Sequence, residues 1–376
     1  MEGNTAEKYS IKISHKELIA AEGQSREEHL LPLSNLDLLL PPLEVGVFFC
    51  FKKPPPLLIP ASNFASLVAK LKSSLAKVLL VYYPLAGKVV ENAAGEPELL
   101  CNNRGVEFIE ACADVELHQV DFYDVDGSVE RKLVPKKDEH SVLTVQATEM
   151  KCGGLVLGCV FDHRISDAHT FHMFLIAWAE TAACKEVPID PIFDRSLLNP
   201  GRSTKSGLLE PKFKFDRLYV PISQLPPPPP PEIEKPEPQA INRLYYIAAD
   251  EINRLQSIAS SEGRRRRTKI EAFTAYLWKL IGRCGKRGEV TRMGVVVDGR
   301  RGLGSPEMNV YFGNVLSIPY GSLEVGEVEA MGIEELSDLV HEIVVEGDRE
   351  EHFRGLVDWV EERRPEYCGS RVFMEE

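Results

Sequence analysis

The sequence predicts an α/β protein of two domains, on the strength of three observations. At 376 residues the chain exceeds the roughly 250–300 residues that a single hydrophobic core usually serves. Residues 221–238 hold nine of the 26 prolines, a density that disfavours helices and central strands and is typical of an extended spacer. On each side of this spacer lie a strand-like apolar run and a helix-like periodic stretch. We therefore expect domains at 1–200 and 241–376, joined by a crossover over 201–240.

The first half contains two predicted helices and one predicted strand. In FASLVAKLKSSLAKVLLVYY, leucines recur every four residues from Leu67 to Leu79, which predicts an amphipathic helix that ends before Pro84. The run GGLVLGCVF (153–161) has the length of a strand and is flanked by glycine. The stretch HTFHMFLIAWAETAA (169–183) is long enough for a helix and is apolar almost all round. The polar residues between these two stretches are therefore expected to form a strand-to-helix turn.

The second half shows the same pairing of strand and helix. TKIEAFTAYLWKLIGR starts with Thr268 and has Glu271 three residues later, which is a capping-box signature for a helix start. Its apolar residues suggest a buried stripe made of Ile270, Phe273, Leu277, Leu280 and Ile281. TRMGVVVDGRR predicts a buried strand that ends in a turn over Asp298–Arg300.

Composition argues against several classes of protein. The formal net charge of -13 disfavours a nucleic-acid binder, because the phosphate backbone selects basic surfaces. The eight cysteines form no C-x-x-C pair of the kind used for zinc or redox work. The first residues are polar and lack the apolar core that is typical of a signal peptide. The longest uncharged apolar run is too short to cross a membrane. We expect a cytoplasmic protein with no membrane partner.

The turn VFDHRISDAHTF (160–171) allows three interpretations. Asp167 or the serine before it caps the following helix, and His163 is an ordinary loop histidine. Alternatively, His163, Asp167, His169 and His172 bind a metal ion. In the third interpretation His163 is a general base at the carboxyl end of a strand, where α/β folds place their sites.

Seven stretches together resemble one protein family. HRISD matches the H-x-x-x-D motif of the plant BAHD acyltransferases, between an apolar strand and a long helix as in that family. Six further stretches are similar to family landmarks and follow in the same order: LPLSNLDLLLPP (31–42), YYPLAGKVV (82–90), PIFDRSLLNP (191–200), IEAFTAYLWK (270–279), VDGRR (297–301) and NVYFGNVL (309–316). The N-terminal stretch is most similar to the coniferyl alcohol acyltransferase branch.

This resemblance implies a fold and a reaction. The fold would be similar to that of chloramphenicol acetyltransferase, with two domains of mixed sheets flanked by helices and a channel between them. The substrates would be acyl-CoA and a small-molecule alcohol, possibly a phenylpropanoid, with no permanently bound cofactor and no metal. His163 would take the proton from the acceptor hydroxyl, a task that suits the neutral imidazole near pH 7. Such an enzyme is expected to act as a monomer.

The resemblance also suggests roles for residues around the site. Asp167 would point away from the channel and pair with Arg300 as structural support, while His169 and His172 would serve only in packing. Asn314, in YFGN, is a candidate donor for the oxyanion that develops on the thioester carbon, with a strand-capping role as the alternative.

A basic run from Arg264 to Lys269 lies at the start of the helix predicted in TKIEAFTAYLWKLIGR. The positive end of a helix favours anions, so this run is physically suited to a CoA phosphate. Thr268 and Lys269 correspond to the stretch that contacts CoA in the family, and Arg267 adjoins them. A solvated surface loop is the alternative interpretation.

One family hallmark, D-F-G-W-G, does not occur in the sequence, and the second half is shorter than the first. These departures lead us to expect a truncated C-terminal domain with exposed strand edges and little or no activity. Three classes therefore stay open: an acyl-CoA-dependent O-acyltransferase, a catalytically silent relative that binds partners, and a metal-assisted hydrolase.

Overall fold

The computed structural model describes residues 9–23, 27–53, 63–185, 190–201, 213–225, 241–260 and 266–374. The chain divides into two compact units. The first comprises Met1–Arg195, Pro227–Tyr245 and Val310–Asn314, and the second comprises Ser196–Pro226, Tyr246–Asn309 and Val315–Glu376. The five residues 310–314 thus belong to the first unit although the sequence division assigns them to the second half.

The first unit is built on a five-stranded mixed sheet. Its elements are β1 (Ile11–Ile19), β2 (His29–Pro32), β3 (Glu44–Phe51), α1 (Phe64–Val78), β4 (Lys88–Glu91), β5 (Pro97–Cys101), β6 (Val106–Ala113), α2 (Val125–Ser128), β7 (Leu143–Glu149), β8 (Leu155–Asp162) and α3 (Ala168–Ala182). The large sheet has the order β1-β6-β7-β8-β3, and a three-stranded sheet has the order β2-β5-β4. Within the large sheet only β6 and β7 run parallel; the other neighbours are antiparallel.

The strand predicted at 153–161 and the helix predicted at 169–183 are confirmed as β8 and α3. Every residue of β8 is buried, as expected for an inner strand covered on both faces. Helix α3 lies beside α1, where Trp178 donates a hydrogen bond from Nε1 to Ser74 Oγ at 2.9 Å. Although its sequence is apolar almost all round, α3 is not buried on every side, because His172 is exposed and Ile176 is 36% exposed.

The second unit has more helix and much smaller sheets. Its elements are α4 (Phe213–Leu218), β9 (Tyr219–Pro221), α5 (Ala249–Ala259), α6 (Lys269–Gly282), β10 (Val290–Gly294), β11 (Val297–Asp298), β12 (Leu316–Ser317), β13 (Tyr320–Glu324), α7 (Val325–Ala330), α8 (Ile333–Gly347), α9 (Glu350–Glu361) and β14 (Cys368–Ser370). The antiparallel pairs are β10 with β13, β11 with β12, and β9 with β14. The run predicted as one buried strand is therefore divided into β10 and β11, and Val296 in it is 59% exposed.

Helix α6 starts as predicted but buries a different face. Thr268 Oγ1 accepts the N–H of Glu271 at 3.1 Å, and Glu271 Oε2 accepts the N–H of Thr268 at 2.6 Å, so the capping box is confirmed. The predicted apolar stripe is largely exposed, with Ile270 at 69% and Ile281 at 55%. The residues that α6 buries are Glu271, Ala272, Ala275, Trp278 and Gly282. Small residues on that face allow close approach to α7 and α8.

The expected crossover over 201–240 contains ordered elements of the second unit. Residues 213–225 include α4 and β9, and Tyr219 and Val220 of β9 are buried. The run of six prolines that motivated the assignment lies outside the described residues. No helix in the described ranges is both long enough and apolar enough to cross a membrane.

Candidate active site

The candidate site is the five-residue turn that joins β8 to α3. Strand β8 is paired on both sides and ends at Asp162, which lies opposite Glu44 of β3. Helix α3 starts at Ala168 because Asp167 Oδ1 accepts the N–H of Thr170 at 2.9 Å. The first residue of the turn is His163. A buried strand and a capped helix thus fix both ends of the segment that carries the histidine.

The backbone of His163 is held on both sides, while its ring is half-buried. The His163 N–H donates to the Leu43 carbonyl at 2.9 Å, and the His163 carbonyl accepts from Asn314 Nδ2 at 2.9 Å. The ring lies edge-on to Phe161, with centroids 6.4 Å apart. Nδ1 is buried and has no hydrogen-bond partner within the described residues. This leaves Nε2 as the nitrogen available for proton exchange.

A short-range ion pair supports the same turn. Asp162 accepts hydrogen bonds from Arg164 through the backbone N–H at 3.1 Å, Nε at 2.9 Å and Nη2 at 2.7 Å. Asp162 is 4% exposed. Bidentate arginine–carboxylate pairs have a narrow geometry, so this pair restricts the conformations open to the residue between its members.

Asp167 has the capping position that the sequence allowed, and it is 1% exposed. Arg300 belongs to the second unit, where its N–H and Nη1 donate to Asp298 Oδ1 at 2.9 and 3.1 Å. The Asp167–Arg300 pair stays a prediction. The packing role expected for His172 is wrong, since its side chain is exposed. Nowhere in the described ranges do three or more His, Cys, Asp or Glu side chains come together as metal ligands could.

Asn314 is placed at the turn, but its geometry differs from that of an oxyanion donor. The side chain is 0% exposed. Nδ2 donates to the carbonyls of His163 and Arg164, at 2.9 and 3.1 Å, and to Asp37 Oδ1 at 2.9 Å. An amide has only two hydrogens on Nδ2, and both are directed at these acceptors. The side chain therefore holds the turn, and no hydrogen remains for an oxyanion.

The basic run beside α6 is divided by the structure. Arg264 and Arg265 lie outside the described residues. Arg267 is 8% exposed and donates from Nε and Nη2 to Asp338 at 3.1 and 2.6 Å, so it is an internal ion-pair residue and not a surface cation. Lys269, like Thr268, is exposed.

Glu271 already provides a carboxylate at the start of α6. Burial raises the pKa of Glu271, but the hydrogen bonds from Thr268 and His341 outweigh it, and the pKa is lowered. His341 Nδ1 lies 2.7 Å from Glu271 Oε1. A phosphate at this helix end would have to share the positive end of the helix with that carboxylate.

Two residues that sequence reasoning did not single out belong to the site. Asp37 binds Asn314, and Arg195 donates to Tyr311 Oη at 2.9 Å and to the carbonyl of Phe312. Both residues occur in stretches recognised as landmarks, LPLSNLDLLLPP and PIFDRSLLNP. A charged residue inside an apolar stretch was the available signal, because such residues are rarely buried without partners.

An apolar groove of about 550 Å³ lies in the first unit, away from the histidine. Its lining includes Phe49, Lys53, Leu71, Leu157 and Trp178. Leu157 is six residues before His163, which corresponds to roughly 20 Å along a strand. The groove is therefore not part of the candidate active site.

A family model described as "Transferase family" matches residues 9–375. The chain belongs to this family, the BAHD acyltransferases. The chain is therefore an acyltransferase, as the motifs predicted.

Among similar BAHD sequences, "Hydroxycinnamoyltransferase 1" of Oryza sativa subsp. japonica is 26% identical, over 87% of this chain and 75% of its own length. "Shikimate O-hydroxycinnamoyltransferase" of Nicotiana tabacum is 24% identical, over 93% of this chain and 80% of its own length. Both relatives are longer than this chain, because the same aligned region covers a smaller share of their length than of this one.

Two solved structures show the fold. Vinorine synthase has a TM-score of 0.65 and 20% identity, covering 89% of this chain and 75% of its own. TRI101 of F. graminearum, in a complex with coenzyme A and T-2 mycotoxin, has a TM-score of 0.66 and 12% identity, covering 89% of this chain and 78% of its own. The predicted α/β fold class of mixed sheets and helices is confirmed.

Proposed function

We propose that this chain transfers an acyl group from a coenzyme A thioester to the hydroxyl group of a small plant metabolite, with His163 as general base. The observation that carries the proposal is the position of His163: a half-buried ring directly after an inner strand, with a fixed backbone and Nε2 left for proton exchange. The relatives' names suggest a hydroxycinnamoyl group as the acyl group.

The proposed reaction needs one proton carrier and no covalent enzyme intermediate. His163 Nε2 takes the proton of the acceptor hydroxyl while the hydroxyl oxygen forms a bond to the carbonyl carbon of the thioester. The tetrahedral intermediate then collapses, the carbon–sulfur bond breaks, and the thiolate of CoA takes the proton back from the imidazolium. The products are an ester and free CoA. A thioester is already an activated acyl donor, so a nucleophilic serine or cysteine is not required.

The donor's phosphates need cationic partners, and Lys269 is one such exposed group. It is the first residue of α6, and the free N–H groups at that end of the helix also favour anions. Arg267 acts differently in this proposal: by pairing with Asp338 it holds the segment that precedes the helix. The acceptor is proposed to be an alcohol, the class to which shikimate belongs.

The experiment is a screen of p-coumaroyl-CoA and acetyl-CoA against a panel of alcohols and amines, with free thiol and product mass as readouts. The proposal expects CoA release that depends on an alcohol, together with the mass of the matching ester. His163→Ala serves as the blank. Binding of CoA without turnover of any pair would favour the silent binding relative instead.

A further inference from the structure

Two buried residues connect the turn of His163 to a distant part of the first unit. Asp37 and Asn314 are both 0% exposed, and 277 positions separate them in the sequence. We propose that they are positioning residues that fix the histidine through its backbone. The inference rests on the proposed function, in which the place of the His163 ring determines the rate.

The Asp37 carboxylate accepts four hydrogen bonds, two on each oxygen. Oδ1 accepts the N–H of Asn314 at 2.7 Å and its Nδ2 at 2.9 Å. Oδ2 accepts the N–H and the Oγ of Ser34, each at 2.8 Å. Arg195 Nη2 lies 3.9 Å from Oδ2 and offsets the buried negative charge. A buried carboxylate with this many donors has one favourable position.

The Asp37 carboxylate determines which way the Asn314 amide points. Only Nδ2 can face Asp37 together with the carbonyls of His163 and Arg164, because all three are acceptors. A flipped amide would place Oδ1 against a carboxylate and two carbonyl oxygens. Asp37 thus keeps the Asn314 donors aimed at the turn.

The histidine depends on this support because its ring lacks another anchor. A catalytic histidine is often oriented by a carboxylate on the second ring nitrogen, whereas Nδ1 of His163 has no partner in the described part of the chain. The backbone N–H is held by Leu43 and the backbone carbonyl by Asn314. Losing the second bond frees one side of the residue that carries the base.

Thr170 provides a matched control for the test. It is 0% exposed, and its Oγ1 donates to the Gly313 carbonyl at 2.9 Å. Its hydroxyl therefore anchors the same segment as Asn314 through Gly313, one residue away. The same hydroxyl accepts the N–H of Gly313 at 3.3 Å and lies 3.5 Å from the Tyr311 carbonyl, and Thr170→Val removes all of these contacts with little change of shape.

The experiment follows the His163 ring by NMR in the full chain labelled with 13Cε1-histidine, with the signal assigned by its loss in His163→Ala. We expect Asn314→Ala to shift or broaden that signal, and Thr170→Val to leave it in place. Where an active substrate pair is known, kcat of Asn314→Ala should fall about 10–100-fold with little change in KM for acyl-CoA. In the His163→Ala background the second substitution should lower the residual rate no further.

The proposal is overturned if the His163 signal of Asn314→Ala matches the wild type, or if Thr170→Val moves it as much. Should Asn314→Ala not fold, Asn314→Ser, which keeps one donor, is measured in its place with the same two criteria. The NMR result needs no turnover, so it stands apart from the proposed function, which fails if no substrate pair is turned over or if His163→Ala keeps its activity.

Discussion

Two turns in this chain share a hydrogen-bond pattern and differ in their middle residue. The first turn, Asp162–Arg164, ends β8 in the first unit, and the second turn, Asp298–Arg300, ends β11 in the second unit. In each, the aspartate Oδ1 accepts the backbone N–H of the arginine, at 3.1 and 2.9 Å. In each, a guanidinium nitrogen of that arginine also donates to the aspartate.

The middle residues are held in the same way. The N–H of His163 donates to the Leu43 carbonyl at 2.9 Å, and the N–H of Gly299 donates to the Val315 carbonyl at 2.8 Å. In each unit the aspartate pairs with a residue of the neighbouring strand. The accepting carbonyl belongs to the residue one position before that strand partner. The same backbone frame is thus formed at both places.

What differs is the space at the middle position. A Cβ at Gly299 would lie 2.5 Å from ring carbons of Phe353, which is 0% exposed, so close packing excludes a side chain there. At His163 the frame carries a half-buried imidazole. The Asp-x-Arg frame is therefore not itself the site, since the side chain at its centre decides between packing and chemistry.

The largest effect is expected from His163→Gly, which makes the first turn resemble the second. Acyl transfer should fall about 10²–10⁴-fold, the usual loss when a positioned base is removed, while the folded structure is kept. Initial rates with the best substrate pair measure this change. His172→Ala, on the exposed face of α3, is the control and should keep its rate. A His163→Gly rate within a few-fold of wild type would contradict the comparison.

Gly299→Ala tests the second turn from the opposite direction. The added methyl group meets the buried Phe353 ring, and overpacking of this kind costs about 1–3 kcal/mol. Urea denaturation should therefore show a lower free energy of unfolding. Gly326→Ala is the control, because the added Cβ would lie 3.6 Å from its nearest neighbour, Glu324 Oε1, which is ordinary van der Waals contact. Equal stability of the two variants would remove the packing explanation.

Asp167 follows the first turn as the cap of α3, and its capping role and its proposed pairing role are separable. Asp167→Ala should lower the free energy of unfolding by about 0.5–2 kcal/mol through loss of the α3 cap. Asp167→Asn keeps a capping oxygen, so any decrease in the free energy of unfolding of that variant reports the loss of a charge partner such as Arg300. Asn63→Ala, at the exposed cap of α1, provides the reference value. Asparagine and aspartate cap helices about equally well, so an Asp167→Asn variant as stable as the wild type would argue against the ion pair.

The smallest effect concerns the cations beside α6. Lys269→Gln should weaken CoA binding about two- to fivefold, the scale of an exposed ion pair, without changing the melting temperature. Arg267→Gln should instead lower the melting temperature, because Asp338 loses its partner. Calorimetry with CoA and thermal denaturation separate the two. The opposite assignment of effects would restore Arg267 as the phosphate contact.

Sequence patterns predicted the elements whose signals are local. The start of α6 was predictable because Thr268 and Glu271 satisfy each other's backbone N–H groups within one turn. The buried face of α6 was not, because periodicity selects the large apolar side chains, including Ile270 and Ile281. The structure packs the side of Ala275 and Trp278 instead.

The contacts that complete the site connect residues far apart in sequence. The motif H-x-x-x-D identified His163 and Asp167, and the structure gives Asp167 the capping role expected of its position. The role of Asn314 followed from bonds to Asp37 and to the carbonyl of His163, 277 and 151 positions away. No local pattern contains such distances, so the sequence suggested an oxyanion donor where the fold has a positioning amide.

Chemical rescue tests whether the His163 imidazole carries the proton. His163→Gly leaves space where the ring was, and imidazole added to the assay can enter that space as a free base. We predict that the transfer rate of His163→Gly rises with imidazole concentration, while wild type and Asn314→Ala do not respond. A His163→Gly variant that folds and binds CoA, yet gains no rate at any imidazole concentration, would contradict the account.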